Sequence, residues 1–492
     1  MSNQHDAVNP MRRRLLQASG GLVMSGLLPA CGGGSDSDAA VAPSTPTPTP
    51  TGPSYPADIT LSAMANAVIL DTSFAGLSVE KQNLSYNSLS GGNTALIGVF
   101  KRLGPGVLRI GGNSADKSSW QATGPDQTAY VITRAGVDRL AQFVQACNWK
   151  VIYGMNFVTN TPASMADEAS YAAGALGNAL IGFELCNEPD LYNRNIAASA
   201  VSTYATFKTQ WEQYAIAIRA AVPSSVLTGP ASSYNYKNYT IPFASDEKNL
   251  ISLLTQHYYR NPATATIPSM LAPDPNLVTM LQALQGAASP TLPYRMAETN
   301  TYYSTPTTGS GVAGISDAHA SALWAINYLF TLAQYGCQGA NFHTGGTATY
   351  SPIKFQMQSG TVMAIDPEYY GVYLFRQAAQ GTLLQTTLST QGTTLFAYSV
   401  QATDGSTVVV LVNIDSSATY QARIACAPTA SGAQLTTLSG PSLDSLTGTQ
   451  INGATFATDG SWSPQPPVAA TITNGQLAIA IAPASAVLAR IS

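Results

Sequence analysis

Residues 180–192 read LIGFELCNEPDLY. The apolar start of this stretch is typical of a buried strand, and the stretch carries two glutamates, Glu184 and Glu188, spaced by four residues. Pro189 cannot donate a hydrogen bond to a β-ladder, so the sequence predicts a strand over 180–188 that stops there. Two acids at the end of one buried strand are notable because only 10% of the chain is charged.

Further β-rich runs lie on both sides of this strand. Together with it they number eight, at intervals of roughly 30 to 45 residues, and amphipathic stretches such as 135–147, 201–221 and 317–335 lie between them. This alternation predicts an α/β fold, a (β/α)₈ TIM barrel over residues 57–380. A doubly wound open sheet is the alternative, and it is disfavoured because no Gly-x-Gly-x-x-Gly follows the first strand. The other seven predicted strands are 74–80, 106–112, 149–157, 225–231, 253–259, 294–300 and 339–344.

The pattern changes after a predicted helix at 368–380. From there only strands separated by Gly, Ser and Asp-rich turns follow, which predicts a small antiparallel β-sandwich over 381–492. Residues 57–70 have β character of their own and either begin the barrel or pair with the sandwich. The predicted sandwich strands are 393–400, 406–413, 419–425, 471–473, 477–482 and 486–491.

The composition narrows the classes of partner. The 492 residues include 22 Lys and Arg against 26 Asp and Glu, and no run of five basic residues occurs. This excludes a protein whose main partner is a nucleic acid. Polarity comes instead from hydroxyl and amide side chains and 24 Tyr, which favours ligands that are bound by hydrogen bonds and ring stacking, such as carbohydrates.

The first residues predict export. Residues 1–31 combine Arg12-Arg13-Arg14-Leu15-Leu16 with an apolar stretch and a Leu-Pro-Ala-Cys end. They resemble a bacterial twin-arginine signal with a lipobox that lipidates Cys31; an ordinary secretory signal is the alternative. Residues 32–56, rich in Gly, Ser, Pro and Thr, predict a linker. We expect a periplasmic, membrane-anchored or secreted protein whose contact with membranes is at most a lipid.

The cysteines and histidines of the sequence predict neither a particular disulfide pairing nor a metal site. The remaining cysteines, Cys147, Cys186, Cys337 and Cys426, allow three disulfide pairings, and the sequence selects none. The four histidines are well separated, so we expect no metal site and no cofactor.

Two acids stand at the predicted strand ends. Glu188 follows the fourth strand and Glu298 lies on the seventh, so both side chains reach the carboxyl-end rim of the barrel. Glycoside hydrolysis needs two facing carboxyl groups, one that donates a proton to the leaving oxygen and one that attacks or activates water. The alternative for either residue alone is a helix cap or a partner of an arginine.

The motifs together resemble glycoside hydrolase family 79, which contains β-glucuronidases and heparanase. The resemblance rests on the segments FELCNEPDLY at 183–192, LRIGGNSAD at 108–116, HYY at 257–259 and AETN at 297–300. It implies that Glu188 is the acid/base and Glu298 the nucleophile of a retaining enzyme. Retention in turn implies carboxyl groups about 5 to 5.5 Å apart.

Neighbouring residues support these two. Arg109 shares strand parity with Gly111 and points into the barrel, where its charge would keep Glu298 ionised. Glu184 lies deeper than Glu188 and is expected to be a structural partner of Arg109. Asn187, just before the acid, is expected to hydrogen-bond the sugar 2-OH.

The resemblance also implies roles for residues around the mouth. Glu80, Asn113 and Asp116 are placed to bind ring hydroxyls. Tyr258 is favoured over Tyr259 as the tyrosine that hydrogen-bonds the nucleophile. His343 is expected to be a core histidine rather than a ligand.

A uronate carboxylate would be held after the seventh and eighth strands. The resemblance implies Tyr303 and Tyr350 for this role, although Ser304-Thr305 replace a pair of glycines expected there. Backbone N–H donation survives that replacement only if φ stays negative. The substrate expected is a glycan with β-linked glucuronic acid.

Several alternatives stay open. Scattered basic residues favour an exo-acting enzyme over an endo-acting heparanase-like enzyme on sulfated chains. A third hypothesis is another sugar specificity, such as β-xyloside or β-glucoside, and a fourth is a lipid-anchored glycan-binding protein without activity.

Overall fold

The computed structural model describes residues 52–192, 201–307 and 309–492. The predicted export signal, its lipid site Cys31 and the predicted linker up to residue 51 lie outside these ranges. Residues Ser54–Ala63 form a strand, which we call the N-terminal strand. The predicted end of the linker at residue 56 is therefore wrong. Within the described ranges, no helix has the length and hydropathy that a membrane crossing needs.

Eight parallel strands close into a barrel, so the predicted barrel is confirmed and the open-sheet alternative is wrong. The last strand pairs with the first in the register Ala340↔Ala75 and Phe342↔Leu77, which closes the ring. The strands are β1 (Ala75–Glu80), β2 (Val107–Gly111), β3 (Lys150–Gly154), β4 (Leu180–Glu184), β5 (Leu227–Ser232), β6 (Leu253–Arg260), β7 (Tyr294–Tyr302) and β8 (Ala340–His343).

Helices surround the barrel between successive strands. They are α1 (Thr94–Leu103), α2 (Arg134–Cys147), α3 (Pro162–Leu176), α4 (Tyr204–Ala221), α5 (Thr240–Asp246), α6 (Ile267–Leu271), α7 (Pro275–Ala287), α8 (Ala320–Gln334) and α9 (Pro367–Ala378). A two-stranded ribbon, β9 (Ile353–Phe355) and β10 (Val362–Ile365), precedes α9. A short parallel pair, Ser119–Trp120 with Val131–Ile132, extends the loop after β2.

Threonine caps start three successive helices. The side chains of Thr133, Thr161 and Thr203 accept hydrogen bonds from backbone N–H groups in the first turns of α2, α3 and α4, at 3.2 to 3.3 Å. Each cap satisfies a donor that the helix itself cannot pair, and its loss typically costs about 0.5–2 kcal/mol. Asn148 ends α2 in the left-handed conformation that suits a helix C-terminus.

The strands after α9 form one curled sheet together with the N-terminal strand. The N-terminal strand pairs antiparallel with the first of them and parallel with the fourth, so this one pairing departs from the predicted antiparallel pattern. The strands are β11 (Gly381–Thr390), β12 (Leu395–Ala402), β13 (Thr407–Asn413), β14 (Thr419–Ala425), β15 (Ala433–Ser439), β16 (Gln450–Ile451), β17 (Val468–Ala470), β18 (Ile472–Thr473), β19 (Gln476–Ile481) and β20 (Ser485–Ile491).

The sequence did not predict β11, β15, β16 or β17. Along β11 (GTLLQTTLST) the outward positions are polar, so this strand lacks the apolar run that marks its neighbours. Its position is fixed by pairing on both sides, with the N-terminal strand and with β12. Tertiary pairing therefore overrides a weak local signal.

Alternating side chains of β13 join the sheet to the barrel. Val409 and Leu411 enter the core inside the curled sheet, whereas Val408 and Val410 enter the core shared with the barrel helices. This two-sided burial explains why β13 is apolar throughout. On the shared side, Phe330 of α8 stacks on Tyr398 of β12 with ring centroids 4.4 Å apart and planes 6° apart.

The four cysteines in the described ranges are unpaired thiols. Cys147, Cys186 and Cys337 are buried, and Cys426 is half-buried. Packing and strand pairing hold the fold without a disulfide among them.

The Phe330 ring is completely buried between barrel and sheet. We expect Phe330→Ala to lower the free energy of unfolding by about 3–5 kcal/mol, since it leaves a ring-sized cavity. Urea denaturation followed by circular dichroism measures this change. The control is Ile216→Ala on α4, because Ile216 is 67% exposed; an equal loss in both variants would contradict the assigned interface.

Candidate active site

The guanidinium of Arg109 lies at the centre of the carboxyl-end mouth of the barrel. It donates from Nε to Glu184 Oε2 at 2.5 Å, from Nη1 to Glu298 Oε2 at 2.6 Å and from Nη2 to Asn187 Oδ1 at 2.9 Å. Arg109 is fully buried. Burial opposes its charge, but the two carboxylates outweigh burial and raise the pKa of Arg109 above its ordinary value.

Two glycines make room for this arrangement. A side chain at Gly111 would collide with the Arg109 guanidinium. Gly112 has φ of 70°, and a Cβ there would lie 2.6 Å from the Glu80 carboxyl group. The Ile-Gly-Gly-Asn segment after β2 is therefore required by close packing against two charged groups.

Glu298, on β7, is held as an anion. Burial by itself raises its pKa, but His343, His257 and Arg109 lower it, and a hydrogen bond from Tyr259 Oη to Glu298 Oε1 at 2.8 Å lowers it further. The net result is a pKa of about 2 for Glu298. This carboxylate is thus ionised at any pH at which the protein is expected to work.

Glu188 lies beyond the end of β4, which stops at Glu184 rather than at the predicted residue 188. Its backbone is left-handed, with φ of 50° and ψ of 56°, and Pro189 then starts a single 3₁₀ turn. The N–H of Glu188 donates to Ala231 O at the end of β5, at 2.9 Å. A left-handed glutamate costs about 1–3 kcal/mol, and such strain concentrates at functional sites.

His257 of β6 contacts the Glu188 carboxyl group. Its Nδ1 lies 3.2 Å from Glu188 Oε1, whereas its buried Nε2 has no hydrogen-bond partner among the described residues. A proton on Nε2 would be a buried unpaired donor, so the tautomer with the proton on Nδ1 is favoured. In that tautomer His257 donates to Oε1 and leaves Oε2 of Glu188 for other contacts.

Glu188, His257 and Glu298 each place one atom within 4.8 Å of the others. Among the described residues, these three could together supply ligands to a metal ion. Arg109 already donates to Glu298 at 2.6 Å, and a fixed cation there disfavours a second one. The geometry instead suits two carboxyl groups that act on one bound atom.

Glu80 and His343 complete the wall beside Glu298. His343 lies with Nδ1 3.6 Å from Glu298 Oε2 and with Nε2 3.7 Å from Glu80 Oε1. Burial lowers the pKa of His343, but Glu298 and Glu80 together raise it above its ordinary value. His343 is buried and lies 3.2 Å from Ser78 Oγ, as expected of a core histidine, but it also lies between two acids of the mouth.

The structure contradicts the choice of Tyr258 as the partner of the nucleophile. Tyr258 donates to Asp274 Oδ2 at 2.5 Å and stacks on Tyr328 outside the barrel, whereas Tyr259 contacts Glu298. Neighbouring residues of a strand face opposite sides. Tyr259 shares parity with His257, and this alternation was the signal in the sequence that could have identified both.

Asp116 is also not free to bind a sugar hydroxyl. It accepts hydrogen bonds from Phe157 N at 2.8 Å and from Tyr192 Oη at 2.9 Å, and it is only 9% exposed. Burial raises the pKa of Asp116 to about 6 despite these bonds. Its contacts join the loops after β2, β3 and β4, so the role in ring-hydroxyl binding is replaced by a structural one.

The remaining predicted residues lie around the mouth. Asn113 is exposed in the turn after β2, and Asn187 is buried against Arg109. Tyr303 is 41% exposed after β7, and Tyr350 is buried with its ring 5.8 Å from that of Tyr259.

The loop that replaces the expected glycines keeps an ordinary backbone. Neither Ser304 nor Thr305 has a positive φ. The condition on φ is therefore met, but the N–H of Thr305 donates to Gly309 O at 3.1 Å within the loop.

Known proteins resemble this chain in sequence and in fold. No protein-family model matches the chain. A β-glucuronidase of Aspergillus niger is 24% identical over 304 residues, which are 54% of this chain and 55% of that protein, so the chain spans about half the length of this curated relative.

Solved structures cover more of the chain. The crystal structure of a 4-O-α-L-rhamnosyl-β-D-glucuronidase from Fusarium oxysporum covers 89% of this chain and 100% of its own, with a TM-score of 0.73 at 18% identity. A GH51 arabinofuranosidase from Xanthomonas axonopodis covers 89% and 100%, with a TM-score of 0.64 at 16% identity. These likenesses establish the fold.

The hydrogen bond from Tyr259 contributes to the low pKa of Glu298. In the folded protein the pKa of Glu298 is about 2, below its ordinary value of 4.5. The folding stability that comes from the Glu298 anion is therefore present above about pH 4.5 and is lost as the pH falls towards 2. We expect Tyr259→Phe to raise the pKa of Glu298. The pKa is measured from the pH dependence of the carboxylate infrared band in protein with isotope-labelled glutamate. The spectrum of the Glu298→Gln variant is subtracted to isolate the Glu298 band.

Tyr258→Phe is the matched control for this prediction, because Tyr258 contacts Asp274 rather than Glu298. The Glu298 band should titrate as in the unchanged protein. Equal shifts in the two variants would show that the assignment of Tyr259 is wrong.

Proposed function

We propose that this protein is a retaining β-glucuronidase of the glycoside hydrolase family 79 type, which cleaves β-linked glucuronic acid from glycans. The observation that carries the proposal is the pair Glu188 and Glu298, whose carboxyl oxygens approach within 4.8 Å. Retaining enzymes hold their carboxyl groups about 5 to 5.5 Å apart, and inverting enzymes about 6.5–9.5 Å apart. The close approach supports a nucleophile and an acid/base.

In the first step, Glu298 attacks the anomeric carbon. Arg109 and Tyr259 donate hydrogen bonds to the Glu298 carboxylate and stabilise its ionised form. As the bond to the leaving oxygen breaks, Glu188 transfers its proton to that oxygen. The products of this step are a glycosyl ester on Glu298, a Glu188 carboxylate and the released alcohol.

In the second step, water attacks the same carbon from the side that the leaving group vacated. The Glu188 carboxylate removes the water proton, and the ester electrons return to Glu298. His257 donates to one oxygen of Glu188 and thereby directs the other towards the water. Two inversions at one carbon give net retention.

Other residues of the mouth are proposed to bind the glucuronic acid ring. Asn187, fixed by Arg109, lies next to the acid and is placed for the 2-OH. Glu80 and Asn113 are placed for the remaining ring hydroxyls. Tyr303, Tyr350 and the backbone N–H of Ser304 are proposed to hold the uronate carboxylate.

The charge of the chain favours an exo-acting enzyme. With 26 acidic and 22 basic residues, the chain carries a net charge of −4, which would repel a densely sulfated polymer. Release of the aryl group from an aryl β-glucuronide should therefore exceed depolymerisation of heparan sulfate. Chain cleavage without aryl-glucuronidase activity would favour the endo-acting, heparanase-like alternative.

Chemical rescue tests the mechanism. We expect Glu188→Ala to lower kcat/KM about 10²–10⁴-fold on glucuronides with poor leaving groups. Dinitrophenyl glucuronide needs little proton donation, and azide should restore its turnover and yield the β-glucuronosyl azide. Glu212→Ala, a change at a surface acid of α4, is the control.

Two results would count against this mechanism. One is an α-configured azide product, since retention requires the β-anomer. The other is a Glu298→Gln variant as active as the unchanged protein. If the unchanged protein and the Glu298→Gln variant are equally inert on every glycoside, the glycan-binding alternative gains support.

The sugar specificity is tested with a panel of aryl glycosides. We expect the highest kcat/KM on the β-glucuronide and a selective loss on this substrate in Tyr350→Phe, about tenfold or more for one hydrogen bond to a charged group. The β-glucoside and β-xyloside should be affected less. A preference for a neutral glycoside in the unchanged protein would contradict the uronate assignment.

A further inference from the structure

We propose that Tyr192 is a positioning residue of this site: its hydroxyl group holds the backbone of Asn187, so that the Asn187 amide meets the 2-OH of the sugar. This inference rests on the proposed function and adds the group that fixes the 2-OH contact. Tyr192 ends the segment NEPDLY, residues 187–192, and follows Glu188 by four residues.

The Tyr192 side chain returns to the start of the segment that it ends. After β4 stops at Glu184, Pro189–Leu191 form one 3₁₀ turn. This turn brings Tyr192 back to Asn187, whose N–H donates to Tyr192 Oη at 3.4 Å. The same hydroxyl group donates to Asp116 Oδ2 at 2.9 Å. Tyr192 therefore joins the backbone just before the proposed acid to a carboxylate from the loop after β2.

The Tyr192 hydroxyl group is buried and keeps its proton. The residue is 2% exposed, and its ring stacks on Phe157 with ring centroids 5.9 Å apart. Burial and the neighbouring Asp116 raise the pKa of Tyr192 well above its ordinary value. The hydroxyl group can therefore donate to Asp116 and accept from Asn187 at the same time, and each of these hydrogen bonds strengthens the other.

Asp116 fixes the Tyr192 hydroxyl group. One carboxylate oxygen, Oδ1, accepts from Phe157 N at 2.8 Å, whereas Oδ2 accepts from Tyr192. Hydrogen bonds to a carboxylate are charge-assisted, so they hold the Tyr192 ring more strictly than ring packing alone. A phenylalanine would fill the same space but would bond neither Asp116 nor Asn187.

Asn187 is held by its side chain as well as by its backbone. Arg109 Nη2 donates to Asn187 Oδ1 at 2.9 Å, which identifies this end of the amide as the acceptor because arginine can only donate. Asn187 Nδ2 has no hydrogen-bond partner within the part of the chain that the structure describes. It is therefore left as a donor for the substrate.

The contact with the 2-OH acts mainly in the transition state. Hydrogen bonds to this hydroxyl group strengthen as the oxocarbenium-like transition state forms. A donor is most effective when it already points at the position of the reacting group. Arg109 orients the amide and Tyr192 fixes the backbone, so Asn187 needs no rearrangement. Loss of the Tyr192 hydroxyl group should therefore lower kcat rather than raise KM.

The test compares two aryl glycosides, the β-glucuronide and its 2-deoxy analogue, which has no 2-OH to bind. We expect Tyr192→Phe to lower kcat at least about tenfold on the glucuronide, since a misplacement of about 1 Å can cost about a hundredfold. KM on the glucuronide, and kcat on the 2-deoxy analogue, should change at most about twofold.

Tyr294→Phe is the matched control. Tyr294 is 1% exposed and donates to Tyr335 O at 2.8 Å, at the start of β7 and therefore at the opposite end of the barrel from the mouth. This variant also loses a buried tyrosine hydroxyl group. The ratio of kcat on the two glycosides should stay as in the unchanged protein.

Asp116→Asn tests the same hydroxyl group from its other side, and it serves if Tyr192→Phe does not fold. Its amide has one acceptor atom in place of two, so it cannot keep both the Phe157 and the Tyr192 bonds in their present form. We expect the same selective loss of kcat on the glucuronide.

A double variant shows whether Tyr192 acts through Asn187. In an Asn187→Ala background, Tyr192→Phe should lower kcat on the glucuronide at most about twofold further, because the amide that it positions is gone. Equal losses on both glycosides, or a full tenfold loss in the Asn187→Ala background, would overturn the inference while leaving the proposed function intact. If the unchanged protein hydrolyses no glucuronide at all, the proposed function fails and this inference fails with it.

Discussion

The mouth of this barrel is organised around one buried cation. Arg109 binds two carboxylates and an amide with three different nitrogens. Glu184 and Asn187 come from the end of β4, and Glu298 comes from β7. Burying a charge is tolerated only when it is paired and fully hydrogen-bonded. Arg109 donates to both Glu184 and Glu298, and its positive charge helps Glu298 to carry a negative charge in a buried place. Gly111 and Gly112 follow from the same constraint, because any side chain there would displace the guanidinium or the carboxyl group of Glu80.

From this constraint the two proposed catalytic carboxyl groups acquire different surroundings. Glu298 is on β7, where the pairing with both neighbouring strands shifts register. It contacts Arg109 and Tyr259 and is ionised far below neutral pH. Glu188 stands outside its strand in a left-handed conformation and contacts an imidazole instead of a guanidinium. Acid and nucleophile are distinguished in general by the charges placed next to each group. Here the difference arises because Arg109 contacts Glu298, whereas His257 contacts Glu188.

The sequence predicted the parts that depend on local patterns. Apolar runs at regular intervals indicated the eight strands, and acids at their ends indicated Glu188 and Glu298. The errors concern contacts that join distant segments. Asp116 looked available as an acid after β2, but Tyr192 and the backbone of Phe157 occupy it. His343 is buried as predicted, but nothing in the sequence places Glu80 beside it. The choice of Tyr258 was different in kind, since strand alternation from His257 already favoured Tyr259. The strand β11 shows the converse case, in which pairing on both edges creates a strand from a polar segment.

The curled sheet contributes to the mouth through the helix that joins it to the barrel. Glu368, in the first turn of α9, is fully buried and accepts from Asn300 Nδ2 at 3.2 Å, and Asn300 also donates to the carbonyl oxygens of His343 and Tyr350. Burial raises the pKa of Glu368 well above its ordinary value. The same helix is bonded on its other side to the sheet, where Tyr370 Oη accepts from Phe456 N at 2.9 Å. Two residues beyond Glu298, Asn300 therefore links β7, the end of β8 and the loop that carries Tyr350 to α9, which Phe456 contacts on its other side. Because a barrel strand end is otherwise free to shift, the sheet acts as a support for the proposed site rather than as a separate appendage.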